Sequence, residues 1–193
     1  MLPHMAGPQE VEIKFALDDL RAIERKLRAL GFRRQTSRAH EMNTLYDLPG
    51  AVLRQRGELL RLRQYGDAWK LTHKGPGRAG RHKSRVETET AVESGERMHG
   101  ILSVLGFAPS FRYEKFRVEW SDGTGHVVLD ETPIGNYGEI EGPPRWIDRT
   151  ALALGIAPSQ YITDSYAQLF ANWKARTGSR AVEMTFSAVK RRR

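Results

Sequence analysis

The chain has 193 residues, of which 39% are hydrophobic and 28% charged, with a formal net charge of +8 and no cysteine. That length makes one domain or a tight pair of halves with a real core, and the charge favours an anionic partner. The lack of cysteine excludes disulfides, thiolate metal sites and cysteine nucleophiles and fits a reducing cytosol, while no apolar run is long enough to span a bilayer as a helix.

Residues 1–8 are set aside, because Met1-Leu-Pro-His precedes a second candidate start at Met5. The first element is then a strand in which Glu10, Glu12 and Lys14 share one face while Val11, Ile13 and Phe15 share the other. Asp18 can cap a helix whose Leu20, Ile23, Leu27 and Leu30 form one stripe, with Gly31 as its stop. Two-residue alternation then returns at Arg61 and Arg63, at Lys70, Thr72 and Lys74, and at Arg85, Glu87 and Glu89. A second helix follows Ser94 and stops at Gly106. Alternation resumes with Lys115 and Arg117, with His126, Val128 and Asp130, and with Glu139 and Glu141. A short helix near Asp148 to Leu154 ends at Gly155, and a last one begins near Asp164 with Leu169, Phe170 and Trp173 as apolar anchors. The tunnel-forming part is read as 9–174, followed by a basic tail over 175–193 that ends in Lys190-Arg-Arg-Arg193.

Each of the first two helices follows a Glu-x-Glu strand and ends in a Leu-Gly-Phe triplet. The copies are offset by 77 residues at the acid pairs and 75 at the helix ends, which predicts an internal repeat of two halves lining one cavity. With seven or eight strands and few helices, the architecture expected is mainly β. It is an antiparallel barrel with its charged face inward and helices packed outside.

Exposed antiparallel sheets alternate polar and apolar residues too. Here, however, acids and bases segregate into clusters, with little serine, threonine, glutamine or asparagine among them, so the charged face is read as a site. Two carboxylates about 4 Å apart cost on the order of 4 kcal/mol at an effective dielectric near 20 unless a cation intervenes. Mg²⁺ or Mn²⁺ would resolve that strain, and the basic residues would hold a polyanion bridged to the metal; a triphosphate fits both requirements.

Competing motifs are weak. Gly75-Pro-Gly-Arg-Ala-Gly80 matches a dinucleotide fingerprint, yet it runs into a strand-like basic stretch instead of a helix, so it reads as a loop. The six histidines show no zinc spacing, and no serine nucleophile elbow is present.

The segment Glu10-Val-Glu-Ile-Lys14 resembles the ExExK signature of the CYTH superfamily, the triphosphate tunnel metalloenzymes. The likeness continues in order through Asn43-Thr-Leu-Tyr-Asp47, Leu60-Arg-Leu-Arg63, Leu71-Thr-His-Lys-Gly-Pro76, Arg85-Val-Glu-Thr-Glu89, Glu114-Lys-Phe-Arg117, Val128-Leu-Asp130 and Glu139-Ile-Glu-Gly-Pro143. Asp164-Ser-Tyr166 is similar to the closing motif of the branch holding class IV adenylyl cyclases and thiamine-triphosphatase-like proteins.

The resemblance implies a closed eight-stranded tunnel and a metal-dependent enzyme of triphosphates. It implies metal-site carboxylates at Glu10, Glu12, Asp130, Glu139 and Glu141. Phosphate ligands fall at Lys14, Arg61, Arg63, Lys74, Arg85, Lys115 and Arg117, with Glu10, Glu12 and Lys14 at the catalytic centre. Lys70 departs from the pattern and reads either as an extra phosphate contact or as a residue of the tunnel mouth. The expected activity is hydrolysis of a terminal phosphoryl group, with adenylyl cyclase chemistry as the alternative and a noncatalytic polyphosphate- or RNA-binding module as a third reading. The substrate would be a small triphosphate in the cytoplasm, with no membrane or nucleic-acid partner, and a homodimer is compatible with the sequence.

Overall fold

The two-residue alternation is realised as strand wherever it was expected. The computed structural model describes residues 9–78 and 80–189. Their elements run β1 (Gln9–Leu17), α1 (Leu20–Ala29), β2 (Arg33–Arg34), β3 (Ala39–Asp47), α2 (Val52–Gln55), β4 (Leu59–Tyr65), β5 (Ala68–Lys74) and β6 (Lys83–Val92). They continue with α3 (Gly95–Val104), β7 (Ala108–Ser121), β8 (His126–Thr132), β9 (Gly135–Glu141), α4 (Pro144–Leu154) and α5 (Tyr166–Thr177).

The strands pair antiparallel in the order β2-β7-β3-β4-β5-β6-β1-β9-β8, and β8 pairs back onto β7. Eight strands therefore close a barrel, and β2 is a two-residue addition to β7 beyond β3. The internal repeat has a topological counterpart. One half runs β1-α1-β3-β4-β5 and the other β6-α3-β7-β8-β9, with β1 paired to β6 and β3 to β7. The first strand of each half thus crosses into the other half's sheet.

Outward apolar positions are covered by helices. Ile13 and Phe15 of β1, with Val118, Trp120, Val127, Leu129 and Ile140 of the neighbouring strands, pack against Ile23 and Leu27 of α1 and against Trp146, Ile147, Ala151 and Leu154 of α4. Each large side chain buried this way contributes roughly 1.5–3 kcal/mol. A smaller cluster joins Leu102 of α3 to Tyr46 and Leu62. No helix among the described residues is long and apolar enough to cross a membrane.

Two helix starts differ from expectation. The cap of α1 is Asp19, whose Oδ1 accepts the Ala22 N–H at 3.0 Å, one residue later than Asp18. α4 begins one turn before Asp148, because Pro144 occupies its first position, where a missing N–H costs nothing. It ends at Gly155, whose φ of 85° is the left-handed conformation that glycine adopts freely.

α5 runs to Thr177, and the chain after it returns to the barrel. Met184 N donates to Arg112 O and its carbonyl accepts from Glu114 N, both at 3.0 Å, while Met184 and Val189 join the cluster around α5. The packed chain thus reaches Val189; the basic run Lys190–Arg193 lies outside the described residues.

Candidate functional site: a charged chamber inside the barrel

Strand pleating turns the acid and base clusters into walls. β1 aims Glu10, Glu12 and Lys14 inward because Ile13 and Phe15, fully buried, hold its other face against α1 and α4. Gly138 lets β9 lie close to that face, since a Cβ there would come within 2.2 Å of the Phe15 ring. Its neighbour Glu139 thereby sits across the ladder from Lys14. β4 adds Arg61 and Arg63, β5 adds Lys74, β6 adds Lys83, Arg85, Glu87 and Glu89, β7 adds Tyr113, Lys115 and Arg117, and β9 adds Glu139 and Glu141. Together they line a cavity of about 350 Å³.

The ion pairs divide the chamber into regions. On one side Lys74 Nζ donates to Glu10 Oε1 at 2.8 Å and to Glu87 Oε2 at 2.7 Å, and Arg85 Nε lies 3.4 Å from Glu10. Glu12 is held loosely, with Lys83 at 3.6 Å and Arg85 at 3.9 Å. Glu141 makes no ion pair among the described residues. Burial, then the charges of Glu10 and Glu12, push its carboxyl up to about 7.

Deeper in, the charges saturate one another. Lys14 Nζ donates to Glu139 Oε1 at 2.8 Å, and Arg117 donates to the other oxygen. Burial raises the Glu139 carboxyl, but Lys14, Arg117 and Lys115 outweigh it and hold the group well below the usual carboxylate range. Burial likewise pulls Lys14 down, and Glu139 and Glu12 more than restore it, so the ammonium titrates above its usual range. Asp130 is fully buried and its oxygens are fully used. Lys115 Nζ donates to Oδ2 at 2.8 Å, Arg117 Nε donates to Oδ1 at 2.7 Å, and the Tyr166 hydroxyl donates to Oδ2 at 2.6 Å.

Every predicted site residue comes to the barrel interior, but not all reach the cavity. Asp130 lies behind the cavity wall, where its oxygens serve Lys115, Arg117 and Tyr166 instead of facing a ligand. Lys70 sits at the rim, its side chain 47% exposed and bonded to Glu89 at 2.7 Å.

Four interior residues, Glu41, Lys83, Tyr113 and Tyr166, were given no site role from the sequence. Glu41, 1% exposed, faces Arg63 at 3.6 Å and Lys115 at 3.5 Å. Its two-residue phase with Asn43 was a usable signal, as was the phase of Lys83 with Arg85 and of Tyr113 with Lys115. Tyr166, although it closes the Asp164-Ser-Tyr166 motif, had no strand phase to read, because it lies on α5. It reaches in from a helix, and its ring lies 4.8 Å from Lys14 Nζ and 4.7 Å from Lys115 Nζ.

The donors on the side of Glu10, Glu12 and Glu141 are carboxylate oxygens, which suit a hard divalent ion, and desolvation followed by the charges of Glu10 and Glu12 raises the Glu141 carboxyl. Among the described residues no three histidine or acidic side chains converge as a ready ligand set. Glu10, Glu12 and Glu141 therefore match a cation in chemistry and charge, while Glu10 and Glu12 are at present partnered by lysine and arginine.

The CYTH domain model matches residues 8–143, most of the barrel. A Methanocaldococcus jannaschii protein provisionally named an adenylate cyclase is 29% identical over 171 residues, covering 83% of this chain and 97% of that protein. Among solved structures, one from Vibrio parahaemolyticus, also provisionally named an adenylate cyclase, superposes with a TM-score of 0.77 at 20% identity, covering 86% of this chain and 99% of that one. Another, a Hippeastrum protein provisionally named an adenylyl cyclase and described as having a dominant triphosphatase activity, gives 0.59 at 19% identity, covering 84% and 95%. With a family model spanning well over half of the sequence and the same closed barrel around its charged motifs, the chain belongs to the CYTH domain family.

Proposed function

We propose that the chamber binds a linear triphosphate with a divalent cation and hydrolyses its terminal phosphoryl group. The carrying observation is that Arg61 and Arg63, both lining the cavity, each keep a buried Nε–H with no partner among the described residues. An unsatisfied buried guanidinium donor is costly, and phosphate oxygens are its natural acceptors.

The chamber's cations are offset nearly one for one by carboxylates, so an entering polyanion must bring positive charge with it. A bound Mg²⁺ or Mn²⁺ would supply that charge, stabilise the transferring phosphoryl group and lower the pKa of attacking water. Glu10, Glu12 and Glu141 are the residues that would hold the ion. Glu139 and Asp130, whose oxygens are taken by lysine and arginine, would fix the phosphate-binding side chains instead. Lys14, Arg61, Arg63, Lys74, Arg85, Lys115 and Arg117 would hold the phosphates in line.

The names of the Methanocaldococcus and Vibrio relatives favour a second reading, in which a ribose hydroxyl attacks the α-phosphate of ATP and pyrophosphate leaves. Chromatography of products from ATP and from tripolyphosphate separates the two. We expect orthophosphate, with tripolyphosphate turned over at least as well as ATP. Cyclic AMP and pyrophosphate from ATP, with nothing released from tripolyphosphate, would replace the hydrolase with the cyclase.

A further inference from the structure

The cations that line the chamber are not equally engaged. Seven of the eight have an oxygen acceptor within 3.4 Å among the described residues. Lys83 is the exception. Its side chain is 14% exposed, and its nearest carboxylate oxygen among the described residues, Glu12 Oε1, lies 3.6 Å away.

Lys83 is also the first residue of β6, directly after the glycine-rich stretch 75–82, and it ends the ladder between β6 and β1 opposite Glu12. Beyond that point β1 has a different neighbour: Ile162 accepts from the Lys14 N–H at 3.0 Å and donates to the Lys14 carbonyl at 2.7 Å. The barrel wall therefore has a seam, with β6 beginning on one side and the segment of Tyr161 and Ile162 on the other.

Asp148 of α4 spans that seam from outside the barrel. Its Oδ1 lies 2.9 Å from His82 Nε2 and 3.2 Å from the Arg81 guanidinium, and it accepts the Tyr161 hydroxyl at 3.2 Å. The His82 and Tyr161 rings are 6.3 Å apart. Asp148 is a firm anchor, because Ile147 and Ala151 of the same helix are fully buried against the barrel. Successive residues of an extended chain point to opposite sides, so holding the His82 side chain on the outside leaves Lys83 facing in.

We propose that Lys83 is a phosphate-binding cation of the chamber, and that Asp148, acting through His82, is the positioning residue that holds it there. The inference rests on the triphosphate reading and adds a ligand to it. A phosphate oxygen gives the Lys83 ammonium the close acceptor that Glu12 does not. Asp148 touches neither the chamber nor a ligand in it, so its effect on binding runs through Lys83.

Calorimetry with tripolyphosphate in the presence of Mg²⁺, and with Mg²⁺ alone, provides the test. Lys83→Met keeps the stem and removes the charge; it should weaken tripolyphosphate binding about tenfold, the scale of one lost charge-assisted hydrogen bond, while Mg²⁺ alone binds no more weakly. The loss should persist at raised ionic strength, which screens a distant charge but not a direct contact. Asp148→Ala should weaken tripolyphosphate about threefold or more, and it should cause no further loss once Lys83→Met is present. A purely structural role would give the same loss in both backgrounds. His82→Ala repeats the comparison without altering α4. Unchanged affinity in Lys83→Met, or a loss that salt abolishes, would make Lys83 no more than a counter-ion of Glu12 and overturn the proposal while the triphosphate reading stands. Equal losses from Asp148→Ala and from His82→Ala with and without Lys83 would overturn the positioning role. Failure of tripolyphosphate to bind the unaltered protein would overturn both the proposal and the triphosphate reading.

Discussion

The mouth and the depth of this chamber are made of the same residue types and behave oppositely. Around Asp130, each oxygen accepts from a cation or hydroxyl at 2.6–2.8 Å, and the group is fully buried. At the mouth, Glu12 has no cation nearer than 3.6 Å, and Glu141 is pushed up by desolvation and then by the charges of Glu10 and Glu12. A saturated network fixes geometry, whereas an unsaturated one holds unspent interaction energy for a ligand. The difference separates the residues that build the site from those that would use it.

The sharpest way to break the comparison is Asp130→Asn. Removing one partner of a buried charge network should cost about 3–5 kcal/mol, read by chemical denaturation. A variant that stayed stable but lost metal dependence would return Asp130 to the metal set. At the mouth, Glu12→Gln or Glu141→Gln should lower metal-dependent turnover about 100-fold or more while the metal-free protein melts no earlier. Melting below the unaltered protein would show that the mouth acids serve the fold.

Tripolyphosphate with Mg²⁺ at about 100 times its dissociation constant should stabilise the protein by roughly 2.7 kcal/mol. Lys14→Ala combined with Arg63→Ala should erase most of that gain. An unchanged gain would place the polyanion outside the chamber. Tyr166→Phe keeps the ring over Lys14 and Lys115 but removes the hydroxyl from Asp130, so a loss of about 1 kcal/mol is expected in the same denaturation assay.

The smallest effects are in pH dependence, and the comparison fixes their signs. Glu141 is raised from 4.5 to about 7, so its favourable contribution is complete below pH 4.5 and is lost as pH rises through 7. Glu89 is a paired acid. Burial raises it, but its bonds to Lys70 and the charge of Arg63 bring it down to about 2, so its contribution is present above pH 4.5 and lost as pH falls toward 2. Stability measured against Glu141→Gln should therefore fall between pH 4.5 and 7. A flat difference across that window would mean that Glu141 is neither desolvated nor repelled by Glu10 and Glu12.

Much of the chamber was legible because a strand converts sequence spacing directly into facing. Glu10, Glu12 and Lys14, or Lys115 and Arg117, could only have shared a wall once they were strands with apolar partners between them. The same logic covers Glu41 and Lys83, which share the inward phase but stand outside the denser charge clusters. The start of α4 was missed for a different reason: a proline at the first helical position leaves no polar cap to read.

Depth along the barrel was beyond the reach of spacing. Asp130 and Glu139 alternate inward as regularly as Glu12 and Glu141, yet only packing against α5 and the cations of β7 decides which acids are spent and which remain. The local pattern of this chain determined the strands, the repeat and the charged inner face, because those follow from neighbours two to four residues apart. The tertiary structure alone decided the placing of Tyr166 over Lys14 and Lys115 and the division between mouth and depth. Those depend on contacts between residues as distant as Asp130 and Tyr166, whose proximity no local periodicity encodes.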